Sequence, residues 1–229
     1  MNLEHIEKII AQGPFSDNWE SLSAFTPPEW MQEAKFGIFI HWGPFSVPAF
    51  NDWYARNMYI QGMPEYEHHL KTYGAHKDFG YKDFIPMFKS ENFDPDEWAR
   101  LIKNTGAGYV VPVAEHHDGF QMYESELSRW NAKEMGPKRD MLGDLLDACE
   151  KVGLVRGASS HRLEHWFFMS NGKNFESDVT DALTPDDLYW PAMPEPDHHD
   201  LLTQGPSEEF LQDWLLRCCE IVDKYRPSL

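Results

Sequence analysis

Cysteine is scarce, three residues in 229, and two of the three are the neighbours Cys218 and Cys219. Such a set makes no disulfide framework, and no CxxC pair offers a zinc or redox site. A reducing compartment suits it. Positive charge is also scarce: twenty Lys and Arg stand against thirty-eight Asp and Glu, a net charge of -18. That field would repel a polyanionic backbone, so nucleic acid is not an expected partner. No apolar run approaches a membrane span, and the leading MNLEHIEKIIAQG carries acids and no apolar signal core. A membrane partner is therefore not expected. The expected location is cytoplasmic, or periplasmic or secreted if a signal has been removed. GxSxG, GxGxxG and P-loop motifs are missing, which leaves serine-triad ester hydrolysis and dinucleotide binding without motif support. Internal repeats and low-complexity tracts are missing too.

Apolar material is ample. Nine Trp, nine Tyr and fifteen Phe suit a packed core and also a site that stacks ring-shaped ligands. Two runs, Phe36 to Trp42 and Tyr109 to Ala114, and a weaker one, Leu154 to Ser160, are short and apolar and end in polar clusters. They read as strands covered on both faces, as in parallel sheets. Helical patterns alternate with them. One opens at Asp94-Pro95, carries Trp98, Leu101 and Ile102 on one face, and stops at Thr105-Gly106. A second spans Asp140 to Val152 with an apolar stripe and stops at Gly153. The longest starts at Ser207 and carries Phe210, Leu211, Trp214, Leu215, Cys218, Ile221, Val222 and Tyr225 at helical spacing. The order strand, helix, strand, helix, strand, helix indicates an α/β fold with right-handed crossovers. Long polar and aromatic excursions follow the first and third strands, at 44–90 and 162–206. Both leave the carboxyl end of a strand, where α/β barrels grow their active-site loops.

The same ends carry histidine: His41 after the first strand, His116 and His117 after the second, His161 after the third. Neighbouring parallel strands would bring the four imidazoles to one rim. Two chemistries could use them. A divalent metal would take imidazoles with a carboxylate such as Asp118 or Glu115. However, adjacent His116 and His117 on an extended chain point to opposite sides, against both serving one ion. Alternatively, imidazoles donate and accept at once and can grip sugar hydroxyls, with Asp52 as an acceptor and Trp53 as a platform. The pairs His68-His69 and His198-His199 lie in polar stretches and read as solvated surface. Gly136 to Asp140 reads as a turn into a helix, with Asp140 as N-cap and Lys138 and Arg139 exposed.

Four segments together, AKFGIFIHWGPFSVPAFNDWYARNMY (34–59), YVVPVAEHHDGFQMY (109–123), GPKRDMLGDL (136–145) and GASSHRLEHWFF (157–168), closely resemble the α-L-fucosidases of glycoside hydrolase family 29. The resemblance implies a partial (β/α)8 TIM-like barrel of about the first three strand-helix units with long loops, residues 1–229 forming a single incomplete domain. It implies retaining release of terminal α-L-fucose, with α-L-fucosylated glycans or fucose as ligands and no cofactor or metal. His41, His116 and His117 resemble the family's fucose-holding histidines and Trp53 the pocket wall. Asp52 stands where many members have Glu, and His161 stands near a position often occupied by Tyr. The family's nucleophile, an aspartate on the fourth strand, is expected beyond Leu229, so no residue is assigned as catalytic. A full barrel takes about 250 residues; fewer than half its strands would leave both sheet edges unpaired. The expectation is a chain that is inactive alone and that self-associates or is completed by a second polypeptide. The alternatives are a non-catalytic fucose-binding or assembly subunit and, more weakly, a metal-dependent barrel hydrolase or sugar isomerase.

Overall fold

A four-residue strand, β1 (Gly37–Ile40), lies parallel to β2 (Tyr109–Glu115), with Gly37 opposite Tyr109 and Ile40 opposite Pro112. On the far side of β2 run two short parallel pieces, β3 (Val155–Arg156) and β4 (Ser159–Ser160). The computed structural model describes residues 2–195 and 205–229. Its helices are α1 (Leu3–Ile10), α2 (Trp19–Leu22), α3 (Glu29–Ala34), α4 (Tyr54–Asn57), α5 (Pro64–Thr72), α6 (Pro95–Asn104), α7 (Met141–Lys151), α8 (His165–Phe168) and α9 (Glu208–Tyr225). The parallel strand order with intervening helices is the α/β class expected. The third strand, however, is broken. The register shifts between Val113 and Glu115, and at Gly157 a Cβ would sit 2.8 Å from Val111 Cγ2, so the chain passes β2 too closely for a side chain.

The three helices legible in the sequence begin where their caps place them. Asp94 accepts from the Glu97 amide, Asp140 from Gly143 and Ser207 from Phe210, each satisfying an otherwise orphaned N–H. The helices end at Gly106 and Gly153 with positive φ and at Arg226 in the left-handed conformation. Their buried faces differ in detail from the apolar stripes. Leu101 and Val222 are more than half exposed, while Ala99 and Ile102 of α6 and Arg217 and Glu220 of α9 are buried. Arg139 is half-buried rather than exposed, since its guanidinium pairs with Asp144 and lies over Phe93.

The excursion after β1 is not a solvated loop. Tyr54, Met58, Tyr59, Tyr81, Phe84 and Ile85 are almost wholly buried in the main core, together with Val110 of β2 and Leu145 of α7. Burying so many aromatic rings supplies the apolar area that short helices cannot supply by themselves. The second excursion docks on the first: Asp178 accepts from the hydroxyls of both Tyr59 and Tyr189. His69 departs from expectation. It is fully buried on α5, with Nδ1 on the Tyr54 hydroxyl and Nε2 on the Phe79 carbonyl, and its neighbour His68 is half-buried against Phe50. His198 and His199 lie outside the described residues. The β3 side of the sheet is met by the chain itself, through Ser228 N–H to the Arg156 carbonyl and Ala158 N–H to the Leu229 carbonyl.

Candidate active site

The carboxyl ends of the strands bring every expected side chain together. His41 follows β1, His116 and His117 follow β2, and His161 follows β4. The ring of His116 lies 5.3 Å from that of His41, 4.5 Å from His117 and 5.1 Å from His161. His161 is in turn 5.1 Å from His41 and 4.7 Å from His117. Trp53 stands edge-on to His117 at 5.3 Å, and Asp52 Oδ2 reaches within 3.7 Å of His41 Nδ1. The expectation that His116 and His117 diverge is wrong. The extended conformation ends at Glu115, and a turn closed by Gly119 N–H on the His116 carbonyl replaces the strand's alternation. Gly119 takes φ +78°, with His165 too close for a Cβ.

Desolvation sets the charge of this rim. Burial and the neighbouring imidazoles push His116 down to about 2 and His117 to about 4, and burial lowers His161 as well. Three of the rings are therefore neutral at pH 7 and able to donate from one nitrogen and accept at the other. Among the described residues, neither buried His116 nitrogen has a hydrogen-bond partner. The others form a line. Ser159 Oγ is 2.8 Å from His161 Nε2, and His161 Nδ1 is 3.2 Å from His117 Nε2. His117 Nδ1 lies 3.2 Å from Glu164 Oε2, close but not aligned as a hydrogen bond.

The two carboxylates named as metal partners face elsewhere. Asp118 accepts from the Tyr81 hydroxyl and the Phe120 amide, and burial pushes it up to about 7. Glu115 is fully buried between Arg217 and Arg162, which both also engage Asp213. Burial pushes Glu115 up against the pull of the two guanidiniums; Asp213, against the upward push of burial, is held low by them. This cluster locks α9 beneath the rim at the residues next to His116 and His161. The one sequence signal for it was Arg217 falling on the apolar stripe of α9. Phe45 against His116, Phe168 stacked 5.2 Å from His117, and Glu164 were not anticipated either. They come from non-local packing that no spacing encodes. A cavity of about 600 Å³ lined by Ser125, Arg129, Asn131 and Asp186 includes none of the rim residues.

A neutral imidazole cluster with an indole and a carboxylate beside it can bind a polyol or, through its lone pairs, a soft cation. Against known proteins, the family model described as alpha-L-fucosidase matches residues 3–229. Tissue alpha-L-fucosidase of Bos taurus is 39% identical over 182 residues, covering 76% of this chain and 38% of the relative. Tissue alpha-L-fucosidase of Homo sapiens is 41% identical over 161 residues, covering 69% of this chain and 34% of the relative. Among solved structures, Thermotoga maritima alpha-fucosidase in complex with a mechanism-based inhibitor superposes with a TM-score of 0.73 at 33% identity, over 93% of this chain and 48% of that one. The complex of the same enzyme with fucose gives 0.70 at the same identity and coverage. The chain thus spans less than half the length of these relatives.

Proposed function

Because the chain belongs to the alpha-L-fucosidase family, we propose that its histidine rim is the fucose-holding part of a site that releases terminal α-L-fucose from glycans. The observation that carries this reading is the convergence of four imidazoles and Trp53 on one end of a parallel sheet. The neutral rings of His116, His117 and His161 each offer one donor and one acceptor to a sugar hydroxyl, and the two His116 nitrogens, unpartnered among the described residues, are the natural first contacts. Trp53 would cover an apolar face of the sugar, and Asp52 would accept from a hydroxyl near His41. Retaining glycoside hydrolysis runs through a carboxylate nucleophile and an acid/base roughly 5–5.5 Å apart. Neither role is assigned to Asp52 or Glu164. Architecturally, β1, β2 and the β3–β4 line belong, on this reading, to the wall of a (β/α)8 barrel, in line with the half-exposed Phe39 on β1 and Phe36 just before it.

Titration calorimetry of the 229-residue chain with L-fucose tests the proposal. Saturable heat is expected at one sugar per chain, abolished by His116→Ala with the far-ultraviolet circular dichroism unchanged. A wild-type chain that is folded and gives no heat would refute it.

A further inference from the structure

We infer that His116, His117 and His161 also form a binding site for one divalent transition-metal ion of the zinc class. The inference is independent of the fucose reading and starts from the two outer partners of the imidazole line. His161 Nε2 is engaged by Ser159 Oγ at 2.8 Å. His117 Nδ1 faces the Glu164 carboxylate at 3.2 Å. Placing the ring protons on those outer nitrogens, each with an oxygen within 3.2 Å, turns the lone pairs of His161 Nδ1 and His117 Nε2 toward one another at 3.2 Å. Two lone pairs held that close repel unless something positive sits between them. A proton is one solution, carried on either ring while both stay neutral. A cation bound to both is the other.

The distances favour it. Zinc binds imidazole nitrogen at about 2.0–2.1 Å, so two ligands of a tetrahedral ion stand about 3.3–3.4 Å apart. The third ligand is His116, buried, with neither nitrogen hydrogen-bonded among the described residues. One nitrogen from each of the three rings falls within 4.8 Å of the others, so a small rotation of His116 closes the set. Three imidazoles leave a fourth position for water, and nitrogen-only ligation selects zinc, cobalt, nickel or copper over magnesium or calcium. Ser159 Oγ and the Glu164 carboxylate then stand behind the bound rings, in the place where oxygen acceptors orient metal-bound histidines. His41, Asp52 and His116 form an overlapping set within the same spacing. It is the weaker candidate, since His41 and Asp52 are more open to water and carry no outer partner that orients the His41 ring. Because His116 belongs to both the metal and the sugar sites, ion and sugar would exclude each other.

The test uses the chelator-treated 229-residue chain. Zinc titrated by calorimetry should saturate at one ion per chain. Cobalt added instead should give the intense visible absorption of a tetrahedral site; only the faint spectrum of octahedral, oxygen-ligated cobalt in the wild type would overturn the inference without any variant. His161→Ala should lose the stoichiometric site, and an unchanged titration in that variant would equally overturn it. Should His161→Ala fail to fold, Ser159→Ala serves instead, with affinity for zinc expected to fall about tenfold or more. L-fucose binding measured on the same chelated protein keeps the two readings separable: sugar heat without zinc binding sinks the metal site alone, and zinc binding without sugar heat sinks the fucose reading alone.

Discussion

Arg217 is the single side chain on which most of the rim's foundation rests. It donates to Glu115 and Asp213 while almost wholly buried. Removing one partner of a buried charge set leaves the others uncompensated, at a cost of about 3–5 kcal/mol. Arg217→Leu is expected to destabilise the chain by that amount in urea unfolding, whereas Val222→Ala, on the exposed side of the same helix, should cost less than about 0.5 kcal/mol. Residue polarity ranks these two residues in the opposite order, although Arg217 falls on the helix's apolar stripe. It treats charge as solvent-facing, and the partner that overturns the rule, Glu115, sits about a hundred residues away. The four strand-end histidines were legible for the converse reason: their position at the end of an apolar run is local information. His69 was not, because the groups that satisfy its two nitrogens, the Tyr54 hydroxyl and the Phe79 carbonyl, are set by tertiary packing.

At the scale of the element, the first two strands and the three long helices could be read from apolar runs, caps and stop signals, since each of those cues acts within a few residues. The short helices α4 and α5 could not. Their sequences are aromatic and polar without a clean stripe, and the rings are buried by neighbours on both sides. The break between β3 and β4 was equally hidden, although its cause lies in one glycine. At Gly157 a Cβ would meet Val111 Cγ2 at 2.8 Å and the Val110 and Leu229 carbonyl oxygens at 3.2 Å. Two of those three obstacles are backbone. Gly157→Ala should therefore force the β3–β4 line away from β2 and cost about 1–3 kcal/mol, read as a lowered thermal midpoint. It should also weaken L-fucose binding, because His161 is carried four residues further along the same segment.

For the whole molecule, burial of neutral histidines dictates the response to acid. Burial is the leading cause that holds His69 and His117 near 4, His165 near 3 and His116 near 2. Unfolding returns each to its ordinary value of about 6.5. The unfolded chain then binds more protons, so these groups contribute stability that is complete above pH 6.5 and is lost as pH falls toward the folded values. Each group loses about 1.4 kcal/mol per pH unit in that window. Thermal midpoints measured from pH 7.5 down to pH 4.5 should fall steeply below 6.5; a flat profile would contradict the buried neutral state of the cluster. Asp118, raised to about 7, works in the opposite direction, as do Glu115, Asp140 and Asp178, which burial also raises, and together they blunt the slope. The buried tyrosines, among them Tyr59 and Tyr189, which join the two excursions, give the alkaline counterpart. Burial raises Tyr59, Tyr81, Tyr123 and Tyr189 well above 10, with carboxylates such as Asp118 and Asp178 adding to it. Their phenols cannot ionise while the chain is folded, so an alkaline titration followed by phenolate absorbance should show a delayed, cooperative step coincident with loss of circular dichroism. The aromatic seam that fastens one excursion to the other is thus also a built-in optical gauge of whether the seam is closed.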